Sequence, residues 1–252
     1  MLLWKDEMRD GLFEFGLLYA LLVGNFCYQS NGFVKFYDDR YCLWKLMKLT
    51  PIVALALFTY FHGAGLNERS RRLHALGIVF GGIGDWLIGN SKEGIVVGAI
   101  AFGIGHLFYM SLFVPGSFKI APSMLIGAAV WGLIANQLCL MPMFQEHPIP
   151  VAIMIIYSLL LTACFILSYS QYALGNNKLQ AGHEALWYRF IGFALFYASD
   201  NLLIFDHVGY PVPLSEVLIL GTYYGAQFLI LKGQIDCEVA ELSVAKPRKK
   251  IS

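Results

Sequence analysis

Eight stretches of this chain are each apolar and long enough to cross a bilayer as a helix, and that repetition leaves few folds open. A spanning helix needs about 20 mostly apolar residues. The stretches cover residues 11–29, 42–61, 73–89, 94–114, 119–141, 150–172, 185–205 and 213–232. Short connectors rich in turn-forming residues separate them, among them Ser30-Asn31-Gly32, Asn67-Glu68-Arg69, Pro115-Gly116, Gly175-Asn176-Asn177 and Pro211-Val212-Pro213. None has room for a soluble domain. The expected fold is therefore all-α: a polytopic transmembrane bundle of about eight helices. It forms one transmembrane domain over residues 1–252, with a short cytosolic N-terminus and a basic cytosolic tail at 233–252.

Composition agrees. Apolar residues make up 58% of the 252 and charged residues only 14%, against roughly 25% charged in a soluble domain. A soluble chain of this size has no single core large enough to hide that surface. Disorder, collagen, coiled coil and a secreted disulfide scaffold are excluded on the same grounds. A net charge of +1 gives nucleic-acid binding no electrostatic support. Cys27, Cys42, Cys139, Cys164 and Cys237 are far apart, with no CxxC, and read as small core residues.

An even number of spans puts both termini on one side. That side then holds thirteen of the eighteen Lys and Arg residues, which makes it cytosolic by the positive-inside rule. The first ten residues mix Lys5 and Arg9 with Asp6, Glu7 and Asp10 and show no small-residue cleavage site, so no removable signal peptide is read there. The chain ends Lys249-Lys250-Ile251-Ser252. This resembles a dilysine signal for retrieval to the endoplasmic reticulum, which works on a cytosolic tail. A basic tail resting on anionic lipid is the plainer alternative.

Polar residues at membrane depth are costly, about 2.5–3.5 kcal/mol for a carboxylate at a span centre. Asp85 lies about 18 Å into the third window and Asp200 about 22 Å into the seventh, at the helical rise. Those two spans run in the same direction, so both acids reach a similar depth, on the side away from the cytosol. His106 is mid-span in the fourth window, with Tyr109 on the same face at i+3. Lys48 and Pro51 fall in the second. Tyr223, Tyr224 and Gln227 group in the eighth, and Asn201 follows Asp200. Glu14 is near enough to an end to reach the interface.

Plainer roles exist for each group singly. An intramembrane His or Tyr often only bridges helices, and a Lys near a helix end snorkels, as Lys45 is expected to do. Gly77, Gly81, Gly84, Gly98 and Gly105 are expected to let helices approach closely. Gly82-x-Gly84 completes no dinucleotide fingerprint. Metal constellations, GxSxG and a P-loop are missing. What remains is a pair of acids in apolar surroundings. Such a pair can hold unequal proton affinities, one acid donating while the other stays ionised. That equips a site for general acid/base hydrolysis and equally for a proton relay in a transporter. A receptor or scaffold with purely structural acids is a third class.

Gly84-Asp85, Gly105-His106-Leu107-Phe108-Tyr109, Ser199-Asp200, Lys48-Leu49-Thr50-Pro51, Pro211-Val212-Pro213 and Thr222-Tyr223-Tyr224-Gly225-Ala226-Gln227 follow one another along nearly the whole chain. As an ordered set they resemble the marker motifs of the YhhN/TMEM86 family, the lysoplasmalogenases. The resemblance implies hydrolysis of the vinyl ether bond of a lysoplasmalogen to a fatty aldehyde and glycerophosphoethanolamine or glycerophosphocholine. It implies Asp85 and Asp200 as catalytic acids, in either order, with His106 holding one carboxyl in its working state. Lys48, Tyr109, Asn201, Tyr223, Tyr224 and Gln227 would contact substrate, Lys48 through the phosphate. The lipid would come sideways from the bilayer. No metal or organic cofactor is required, and a homo-oligomer is left open. The alternative is a proton-coupled or small-solute transporter, against which stands the single proline, Pro51, at a span centre.

Overall fold

The computed structural model describes residues 2–34, 41–63, 65–89, 94–113, 119–175 and 182–245. Among these there are eight α-helices and no strand: α1 (Leu2–Gln29), α2 (Tyr41–Leu57), α3 (Glu68–Ile88), α4 (Gly94–Met110), α5 (Pro122–Cys139), α6 (Pro148–Leu174), α7 (His183–His207) and α8 (Ser215–Ala245). The protein is a helical transmembrane bundle. Four helices are long and apolar enough to span on their own, through residues 11–29, 43–62, 122–139 and 148–174. α4 is as apolar but stops at 17 residues. α3, α7 and α8 each carry buried polar or charged side chains, among them Asp85, Arg189 and Glu238, so hydropathy alone marks them less clearly.

The helix ends have local causes. Pro51 sits inside α2, where it lacks an N–H to donate and clashes with the preceding turn. α2 ends in a wider π turn, Phe58–His62, closed by Gly63, whose φ of 64° suits glycine and whose N–H reaches the Phe58 carbonyl. Asn67 caps α3 by accepting the Ser70 N–H at 2.9 Å. The same Asn67 donates its backbone N–H and side-chain amide to Glu238 of α8 at 2.7 and 2.8 Å. The last turns of α8, beyond the apolar window that ends at Lys232, are thereby tied into the bundle. Cys237 there is fully buried.

α3 packs closely on α4 and α7 on α8. Small residues make this possible, as in other membrane helix pairs. A Cβ on Gly84 would lie 2.6 Å from the Phe102 ring of α4, one on Gly105 would lie 3.0 Å from the Gly77 carbonyl, and one on Gly192 would lie 2.7 Å from the Ile230 backbone. α5 is the least buried span, with 11% of its apolar window inside the protein. Its outer face, including Ile126 and Leu133, is left for lipid.

Candidate active site

α2, α3 and α8 build the first part of the site. Lys48 extends from the turn before Pro51 and meets Asp85 of α3, its Nζ 2.9 Å from Oδ1. Both side chains are buried. The ammonium also lies over the Trp44 ring, 5.6 Å from its centroid. Two buried charges taken from water lose much hydration, which their attraction recovers only at close range. Tyr224 fixes the lysine's turn by donating to the Lys48 carbonyl at 2.7 Å, and Tyr19 donates to the Tyr224 carbonyl at 3.0 Å. Tyr109 of α4 donates to Gln227 Oε1 at 2.7 Å.

Asp85 Oδ2, the Tyr223 hydroxyl and Gln227 Nε2 make no close hydrogen bond, although the Tyr223 hydroxyl lies next to the Asp85 carboxyl. Gln227 Nε2 and the Tyr223 hydroxyl would lie 3.0 and 3.3 Å from a Cβ on Gly81. Gly81 is one turn before Asp85 on the same helix face.

α5, α6 and α7 build the second part, around a cavity of about 70 Å³. Asp200 and Asn201 of α7 line it, with Tyr157 and Ser158 of α6 and Gly132 and Ala135 of α5. The Tyr157 hydroxyl donates to Asp200 Oδ2. Asn201 accepts the Trp131 indole N–H at 2.8 Å and donates to the Tyr197 carbonyl at 2.7 Å. Seven of the nine residues expected at the site from sequence are outside this lining, Asp85 among them.

An aromatic layer joins the two parts. Phe102 contacts Tyr157 on one side and Tyr223 on the other, with ring centroids 6.3 and 6.1 Å apart. His106 packs edge-on against Phe196 at 4.8 Å and Tyr157 at 5.7 Å. Its Nδ1 is 2.8 Å from the Phe102 carbonyl of its own helix, and its Nε2 has no partner. The structure thus groups Lys48, Asp85, Tyr109, Tyr223, Tyr224 and Gln227 in one cluster and Asp200 with Asn201 in another, with His106 against the wall between them. Lys48, assigned to a phosphate from sequence, has its ammonium on Asp85. Among the described residues no group of three or more His, Cys, Asp or Glu side chains is placed to hold a metal.

Sequence reasoning missed Tyr157, Tyr19 and Trp131. Each is one aromatic in an apolar window, and nothing local separates it from bulk. Nor did it single out Arg189, which is buried, donating to Gln171 and, at 3.2 Å, to Gln234, and stacked 4.9 Å from the Phe113 ring centroid. Glu14 is exposed on α1, away from the cluster.

No solved structure matches the chain. Among curated proteins it is 30% identical over 200 residues to bovine (Bos taurus) Lysoplasmalogenase TMEM86A, covering 76% of this chain and 78% of that one. The human TMEM86A protein of the same name is 31% identical over 196 residues, with 76% and 78% covered. Mouse (Mus musculus) Lysoplasmalogenase TMEM86B is 28% identical over 186 residues, with 74% and 73% covered. The YhhN family matches residues 44–234, from Trp44 beside the Lys48–Asp85 pair to Gln234 beside Arg189, and the chain belongs to that family.

Proposed function

We propose that this protein is a membrane-embedded ether hydrolase that cleaves the vinyl ether bond of lysoplasmalogens, with Asp200 and Asp85 as its working acids. The observation that carries the proposal is Asp200: an acid bonded to Tyr157 in the wall of a largely apolar cavity, on a chain whose relatives are named lysoplasmalogenases. A transporter using the same acids is not favoured by those relatives.

The chemistry divides between the acids. Asp200 has no cation in contact among the described residues and acts as the proton donor. Its proton goes to the outer alkene carbon, and the π electrons form the new C–H bond. An oxocarbenium ion remains, shared between the inner carbon and the ether oxygen. Water adds at that carbon and gives its proton to the Asp200 carboxylate, which restores the acid. The hemiacetal then expels the glycerol oxygen, which takes the hemiacetal's hydroxyl proton, and the aldehyde forms. Glycosidases handle a similar cation with two carboxyls. Asp85, with Lys48 as its counter-ion, is the fixed negative charge behind the aromatic layer that favours the cation. His106 and Tyr157 position Asp200. Tyr109, Tyr223, Tyr224 and Gln227 hold the Asp85 side, and Asn201 borders the substrate. The phosphobase head group lies toward the bilayer surface. The protein resides in the endoplasmic reticulum with both termini cytosolic, in keeping with the Lys249-Lys250 ending.

The test is purified protein with lysoplasmenylethanolamine, reading free aldehyde. Turnover is expected, and Asp200→Asn and Asp85→Asn each lower it by at least about a hundredfold, the usual worth of a positioned acid, while still folding and inserting. Near-normal turnover in either variant removes that residue from the mechanism. No aldehyde from the unaltered protein overturns the activity.

A further inference from the structure

Three helix faces meet at the cavity beside Asp200. α7 presents Asp200 and Asn201, and α6 presents Tyr157 and Ser158. The α5 face differs: its central lining residues are Gly132 and Ala135. A Cβ on Gly132 would meet no atom within 4 Å. Gly132 is therefore not there to let two helices touch, as Gly84 and Gly105 are. The space it leaves is the cavity itself.

α5 is also the wall between that cavity and lipid. Its opposite face is exposed, with Leu133 at 71%. Its seam with α7 is held by the Trp131–Asn201 hydrogen bond, 2.8 Å, and by the Trp131 and Phe205 rings, 6.2 Å apart. The hydrogen bond is on the cavity's rim, since Asn201 also lines it. The closely packed α3–α4 and α7–α8 pairs offer no comparable seam.

From this we infer that the α5–α6–α7 cavity is the subsite for the aliphatic chain of a single-chain ether lipid, admitted between α5 and α7, and that Gly132 sets its width. The inference rests on the hydrolase proposal for the identity of the chain. The cavity holds a short segment next to Asp200, and the remainder of the chain runs out along the seam into the bilayer. A side chain at 132 fills the space that segment needs. The same side chain at Gly127, exposed on α5 and outside the lining, does not.

The experiment uses the full chain in nanodiscs and a saturated 1-O-alkyl lysophosphoethanolamine with a diazirine near the ether end of the chain. This probe has no vinyl ether and is not turned over. Photolabelling is expected on peptides of α5, α6 and α7 that line the cavity. Gly132→Phe lowers that labelling by about tenfold or more, a loss of roughly 1.4 kcal/mol in binding, and Gly127→Phe leaves it unchanged. Ala135→Phe repeats the block if Gly132→Phe folds poorly. Label elsewhere, or labelling indifferent to both cavity variants, overturns the inference. With a vinyl ether substrate, Gly132→Phe raises KM while Gly127→Phe does not. Cavity labelling without aldehyde release from any vinyl ether lipid sinks the hydrolase proposal and keeps the lipid subsite. Aldehyde release with label elsewhere does the reverse.

Discussion

Lys48→Met is the sharpest probe of how the site is held. The substitution keeps most of the side-chain stem and removes only the ammonium. Lys48 and Asp85 are 8% and 6% exposed, with 2.9 Å between Nζ and Oδ1. Asp85 Oδ2 already makes no close hydrogen bond. Without Lys48 the carboxylate is buried without its counter-ion, and breaking such a pair from one side costs about 3–5 kcal/mol. Loss of the Trp44 contact adds about 0.5–1 kcal/mol. For a chain of this size each kcal/mol moves the melting temperature by about 2–4 °C, so the expected fall is roughly 7–24 °C. Adding Asp85→Asn removes the orphaned charge and leaves an amide short of hydrogen bonds, a smaller penalty of about 1–3 kcal/mol. The double variant should therefore melt higher than Lys48→Met alone. The assay is thermal unfolding in one detergent for the wild type, both single variants and the double variant. If Lys48→Met melts within about 3 °C of wild type, or the double variant melts no higher than it, the pair is not what holds α2 to α3.

Gly84→Ala should cost about 1–3 kcal/mol, because its Cβ would lie 2.6 Å from the Phe102 ring, which is itself enclosed by Tyr157, Phe196 and Tyr223; an unchanged melting temperature would show that the aromatic layer yields freely. Replacing Lys249 and Lys250, which are outside the described residues, with Ser should move a tagged protein out of the endoplasmic reticulum by microscopy; an unchanged location removes the retrieval role.

Four of the spans were legible because hydrocarbon imposes one rule on every helix, and apolar length reports it directly. Their ends were less so. Hydropathy stops α8 at Lys232, but the helix continues to Ala245, since Gln234 and Glu238 pair with each other and with Arg189 and Asn67 inside the bundle. A polar side chain satisfied by another polar side chain looks, in sequence, like one satisfied by water. The same ambiguity hides in sequence that Arg189 is buried among such groups. Asp85 and Asp200 stood out because an acid at that depth is costly wherever it points. Their partners did not: that Lys48 answers Asp85 and Tyr157 answers Asp200 follows from α2 packing on α3 and α6 on α7, over separations of 37 and 43 residues.

The two acids sit in mechanically different surroundings, and this has a chemical consequence. Asp85 stands on α3, locked to α4 through glycines that leave no slack, and its counter-ion is anchored by Tyr224, itself held by Tyr19. A charge meant to favour a fleeting cation should not move when the cation forms, because reorganisation then would consume the stabilisation. Asp200 faces a cavity whose third wall, α5, is lightly held and open to lipid on its far side. An acid that must meet a chain arriving from the bilayer needs such a wall. Phe102, in contact with Tyr157 and Tyr223, lies between the two regions. On the proposed mechanism, packing the fixed charge tightly and leaving the donor beside a lightly held helix would make one small bundle rigid where charge develops and yielding where lipid passes.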